Sequence, residues 1–169
     1  MQLTRTERWI LYNQYHIIGL LSEDQAAHCE KAKEILGCGY EADYQELCQE
    51  IYTDAHTLTT EECSEVINIL AMFDALKLSY EALEDKSGIN KSRIEFSGFD
   101  GNNETKQMAY TRFICTSDPP RFTRLSRGDD YNSHLPVLSQ YRAMLRQWQP
   151  IQNKHLLTKD DILRIISAQ

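Results

Sequence analysis

The chain has 169 residues, of which 41% are hydrophobic and 25% charged, and its formal net charge is −7. That length is about one domain and can bury a core without help from a metal or a disulfide; with only 7 Gly and 4 Pro, long disordered tracts are not expected. The charge is divided: residues 1–85 carry 5 Lys/Arg against 17 Asp/Glu, and residues 86–169 carry 13 against 8, so either the halves pair with each other or with another copy, or the second half holds an anionic ligand.

The start "MQLTRTERW" is polar, without the apolar run of a secretory leader. Thr4 and Glu7 have the spacing of a capping box, which predicts a first helix over about Arg5 to Leu21. Trp9, Ile10, Ile17, Leu20 and Leu21 give it a broad apolar face. Asn13, Gln14 and His16 interrupt the apolar run from Trp9 to Leu21, so it falls short of a membrane span. His16 reads as a hydrogen-bonded structural histidine, and Trp9 and Trp148 as core or interface anchors. A polar second helix follows from about Glu23 to Leu36, ended by Gly37 and Gly39. Cys38 sits between those glycines, at a helix C-terminus whose partial negative charge disfavours a thiolate.

A third helix is predicted over Asp43 to Tyr52, with Leu47 and Ile51 one turn apart. Thr59 and Glu62 cap a fourth, whose apolar residues from Cys63 to Leu83 surround it and mark it as central. Helix then stops, and "RIEFSGFD" (93–100) reads as a short extended segment. A fifth helix runs from about Glu104 to Cys115. "TSDPPRFTRLSRGDDYNSH" is a loop, because Pro119–Pro120 bars helix. A sixth helix is placed over about Leu135 to Trp148, stopped by Pro150, and a short C-terminal one opens at Thr158 with Asp161 three residues on. The pattern is all-α, a single multihelical domain of about seven helices, with two subdomains, 1–85 and 86–169, as the alternative division. There is no repeat and no sustained heptad run.

Familiar catalytic spacings are missing: GxxxxGK[ST], GxGxxG, HExxH and GxSxG do not occur, and no Glu stands three residues before a histidine as helical di-iron sites require. The five cysteines, at 29, 38, 48, 63 and 115, include no CxxC and read as free thiols of a cytoplasmic protein. No metal or cofactor is expected. Asp100, Asn102 and Glu104 stand at positions 1, 3 and 5 of an EF-hand-like loop, but Thr105 replaces the turn glycine and Thr111 the bidentate glutamate. "RIEFSGFDGNNE" (93–104) then reads as a turn into a helix, with Asp100 or Asn102 capping it, or as a binding loop. Arg121, Arg124 and Arg127 recur every third residue beside Phe122 and Tyr131, a set able to grip phosphate or a base; the competing reading is a solvated loop whose arginines pair with nearby acids. A helix-turn-helix over 44–70 is opposed by Glu61, Glu62 and Glu65 at its recognition helix and by the lack of Lys or Arg there, which argues against DNA binding.

The segments "ILYNQY" (10–15), "GY" (39–40), "FSGFDGNNE" (96–104), "YTRF" (110–113), "YRAMLRQW" (141–148) and "LTKDDILRII" (157–166) resemble, in this order and over nearly the full length, the YfbU family of small bacterial proteins. The resemblance implies a multihelical cytosolic protein and brings no catalytic residue with it. It adds Arg112 and the Gly98–Phe99–Asp100 block to the places to look, so the candidate ligand-binding set is Asp100, Glu104, Arg112, Arg121, Arg124 and Arg127. The expectation is a non-enzymatic, self-associating helical interaction or regulatory protein that acts through protein contacts, as a homo-oligomer and with an unknown protein partner; the alternative is an enzyme or sensor that binds a phosphorylated small molecule or nucleic acid through residues 93–131.

Overall fold

A computed structural model describes residues 1–52, 56–126, 128 and 130–168. The fold is all-α, and the described residues form six α-helices joined by short 3-10 turns. Among the described residues there is no strand, only an isolated parallel bridge between Phe99 and Asn132. Contacts divide the chain into two compact units, Met1–Ala55 and His56–Gln169. The change of charge near residue 86 therefore lies inside the second unit and does not mark its edge.

In the first unit α1 spans Arg5–Leu21 and α2 Ala26–Cys38. The Thr4/Glu7 capping box is formed in both directions, and α2 ends on Gly39 in the left-handed conformation, with the Gly39 and Tyr40 N–H groups both donating to the Ile35 carbonyl. One side of α1 faces α2. Gly19 comes so close that an added Cβ would stand 3.2 Å from Cys29 Cβ, Arg8 donates to the Leu36 carbonyl at 3.0 Å, and Leu11 and Tyr15 pack on a small core of Ile35, Leu36 and Tyr44. The helix predicted over 43–52 is instead a pair of 3-10 turns, Glu41–Asp43 and Glu46–Cys48. In 3-10 geometry residues three apart eclipse each other, so Tyr44 and Leu47 turn inward together and Ile51 is left 73% exposed.

The second unit is built on α3, Thr60–Ala82, which buries Val66, Ile69, Leu70, Met72, Phe73 and Leu76 among others. Each such side chain contributes about 1.5–3 kcal/mol on leaving water, enough to make this helix the keel. Helices α4 (Thr105–Thr116), α5 (Leu138–Trp148) and α6 (Lys159–Ile166) pack on it. Trp148 is buried and donates to the Lys154 carbonyl. Segment 93–100 is a 3-10 turn, Lys91–Arg93, followed by irregular backbone that feeds Phe96 and Phe99 into a ring cluster with Phe73, Tyr131 and Tyr141. Among the described residues, three ion pairs join the acidic and basic stretches within this unit: Glu65 with Arg142 at 2.7 Å, Asp74 with Arg124 at 3.1 Å and Asp85 with Lys159 at 2.6 Å. The divided charge is thus partly spent on internal pairing.

Candidate functional site

The turn at 98–104 is a clasp between two stretches of chain. Gly98 has φ +93, and a Cβ there would stand 2.0 Å from the Tyr131 carbonyl oxygen, so no other L-residue fits. This lets the Phe99 N–H donate to the Tyr131 carbonyl at 2.9 Å while the Ser133 N–H donates to the Phe99 carbonyl at 3.1 Å. Asn132 locks the far side: its Oδ1 accepts from the Gly101 N–H at 3.1 Å and from the His134 N–H at 2.9 Å. The Tyr141 hydroxyl closes the near side, donating to the Gly98 carbonyl at 3.2 Å and lying 2.7 Å from Ser97 Oγ.

Asp100 and Glu104 are both buried, and their oxygens are taken by neighbouring N–H groups. Asp100 accepts from the Asn102 N–H at 3.2 Å and from the Asn103 side-chain amide. Those bonds, the Asn103 amide first, hold its carboxyl below the usual carboxylate range. Glu104 Oε2 accepts from the Asp100 N–H at 3.0 Å, and Oε1 accepts from the N–H groups of Val137 at 2.9 Å and Leu138 at 2.7 Å. Val137 and Leu138 open α5, where N–H groups lack partners inside the helix and the dipole favours a negative charge. Glu104 is therefore the cap of a helix 33 residues away in sequence, besides opening α4. This placement also explains why α5 starts at Leu138 rather than Leu135: the first free N–H groups are the ones this carboxylate reaches.

The arginines take separate partners. Arg112 donates to the Asp130 carbonyl at 2.7 Å and pairs with its carboxylate at 3.2 Å. Arg124 donates to both Asp74 oxygens, at 3.2 and 3.1 Å. Arg121 lies over the Phe122 ring, 5.3 Å from its centroid. Arg127 lies outside the described residues. The cavity beside Arg124, about 200 Å³, is lined by Lys77, Glu95, Phe96 and Leu125 and by none of the other described candidates. Among the described residues no three His, Cys, Asp or Glu side chains stand together as metal ligands. His16 is exposed on α1 and Cys38 is exposed at the end of α2.

A larger cavity lies elsewhere, in the first unit. It is an open groove of about 620 Å³ lined by Arg5, Thr6, Arg8, Trp9 and Tyr12 and by Leu36 and Gly37 of α2. It borders a wider apolar surface: Trp9 is 68% exposed, Ile17 55%, Leu20 74% and Leu21 80%, with Ile10 also in solvent, and α1 has no buried residue. The sequence displays this face as one more amphipathic stripe. What sets it apart is that α1 is apolar on two opposite sides, and among the described residues of the first unit only one of them has a neighbour to cover it.

A family model described as the YfbU domain matches residues 1–168. A protein named UPF0304 protein from Histophilus somni is 33% identical over 170 residues, covering 99% of this chain and 100% of its own length. A UPF0304 protein from Mannheimia succiniciproducens matches at the same identity and coverage.

Proposed function

The chain belongs to the YfbU family, and from that premise we propose that it is a non-enzymatic helical protein that acts through protein contacts and associates with itself. The observation that carries this reading is the exposed apolar face of α1. Burying an apolar residue is worth about 1.5–3 kcal/mol, and a contiguous patch of such residues marks an association surface. The candidate charges favour the same reading, since Asp100, Glu104, Arg112 and Arg124 are engaged with partners inside their own unit. No helix of the described residues is long and apolar enough to cross a membrane. The five free cysteines support a reducing, cytoplasmic setting.

Sedimentation velocity of the full chain, over a wide range of concentration and at low and high salt, tests the proposal. An assembly that persists at high salt is the expected result, because apolar contacts are not screened. A monomer under every condition overturns it.

A further inference from the structure

We infer that α1 pairs with α1 of a second copy, antiparallel about Asn13, through the seam Thr6, Ile10, Asn13, Ile17 and Leu20, so that two α1–α2 hairpins form a four-helix layer. This rests on the self-association proposed above and names its surface. The seam positions step by four, three, four and three, the repeat that keeps one side of a helix turned to a partner helix. They lie opposite Arg8, Leu11, Tyr15 and Gly19, the residues of α1 that are partly covered. Trp9 and Leu21 flank the seam on either side. Two heptads are too short to register as a coiled coil in sequence, where three or four are needed.

Three observations point to a second copy as the occupant. The exposed parts of Trp9, Ile10, Ile17, Leu20 and Leu21, on the seam and beside it, taken at ~200 Å² for each fully exposed side chain, come to roughly 650 Å², about four-fifths of what each partner gives to a standard interface. From Trp9 to Leu21 the helix carries no Asp, Glu, Lys or Arg, so it meets its own copy without like-charge repulsion, whereas a charged partner would leave its charges unpaired. The ends are complementary: antiparallel pairing brings Arg5 of one copy toward the exposed Glu23 and Asp24 of the other, while parallel pairing brings Arg5 to Arg5. At the centre Asn13 meets Asn13, where two amides hydrogen-bond to each other and fix the register, the use a single polar seam residue commonly serves.

The test uses the full chain with Ile10→Glu, Ile17→Lys and the two combined, followed by sedimentation and far-UV circular dichroism. Each single change places a charge against an apolar partner and weakens association by about thirtyfold or more, with helicity unchanged because both positions are exposed. In the antiparallel arrangement the double variant sets the introduced carboxylate of one copy against the introduced ammonium of the other, so association returns and becomes salt-sensitive. A double variant weaker than either single overturns the antiparallel arrangement. An unaltered chain that associates while both single variants associate equally well overturns the seam and leaves self-association standing; an unaltered chain that stays monomeric overturns both. Should the variants lose helicity, Trp9 of the unaltered chain reports the same contact, since Trp148 is already buried. A blue shift of emission that tracks the rise in mass is expected, and an emission that does not move as mass rises overturns the seam.

Discussion

The two units use the same raw material differently. α3 in the second unit spends its apolar residues inward, with Val66, Ile69, Leu70, Met72 and Leu76 all fully buried. α1 in the first unit has a comparable run of Trp, Ile and Leu and buries none of its residues. In the second unit several buried polar groups are also satisfied: Ser79 accepts from the Leu157 N–H, and Glu104 takes three N–H donors, while the buried Thr111 hydroxyl has no partner among the described residues. The first unit, with a buried cluster of only Ile35, Leu36 and Tyr44, is in the size range where a domain is marginal alone. The lesson is that an apolar stripe reports a need for burial without saying which surface meets that need.

The comparison breaks most sharply at the clasp. Gly98→Ala puts a methyl group into the Tyr131 carbonyl at a positive φ, so the Phe99–Asn132 bridge must open. The expected loss is about 4 kcal/mol or more, read by chemical denaturation or as failure to recover folded protein. A variant that melts like the unaltered chain would mean the clasp is not a rigid part of the second unit. Glu104→Ala follows at about 3 kcal/mol: it removes a charged acceptor and leaves the Val137, Leu138 and Asp100 N–H groups without a partner. Glu104→Gln should recover part of this, because one oxygen remains. If both are silent, α5 does not depend on its distant cap. In the first unit Leu11→Ala, on the side of α1 that meets α2, should cost about 2 kcal/mol. The same truncation at Ile17 should leave the stability of the isolated chain unchanged and affect association alone. Equal losses at both positions would show that the two sides of α1 are not distinct.

How much of this was legible in the sequence follows from the range of the interactions. The capping boxes at Thr4, Thr59 and Thr158 were readable because each is closed within three residues, and all three are formed. The central position of α3 was readable because its apolar residues surround it. Glu104 as a cap was legible only in kind: an acid beside a helix start invites capping, but the helix it serves begins at Leu138. Asn132 gave no signal, since an asparagine in a polar loop is ordinary until Gly101 lies against it. The helix expected over 43–52 failed because two apolar residues four apart cannot tell an α-turn from two tight turns that point Tyr44 inward. The apolar side of α1 was legible as a face, and its exposure was not, because periodicity carries no information about the partner.

Acid acts on the second unit in a gentler way. Asp161 carries a pKa below the ordinary carboxylate value, held there first by the Thr158 hydroxyl, and Asp100 is held low first by the Asn103 amide. A depressed folded pKa contributes stability that is fully present above the unfolded value, about 3.9 for Asp, and is lost as pH falls through the folded value. The melting temperature should therefore be level from neutral pH down to about pH 4 and decline below it. Asp100→Asn should start lower and decline less steeply. An acid limb of equal slope in the variant would remove Asp100 from the account.

The smallest effect is the most useful for the anion reading. Arg124 gives two hydrogen bonds to Asp74, yet half of its side chain is exposed, and such pairs contribute about 0.2–1 kcal/mol because water and salt compete for both ends. Arg124→Ala should lower stability by no more than that, and less at high salt. Inorganic phosphate should then do nothing specific: any shift in the melting temperature should be the same in the variant and the unaltered chain. If phosphate stabilises the unaltered chain and this stabilisation vanishes in Arg124→Ala, the arginine is freed from Asp74 to hold an anion. An internal ion pair would then be the resting state of a binding residue, and the second unit would be doing chemistry with a side chain that its folding needs only slightly.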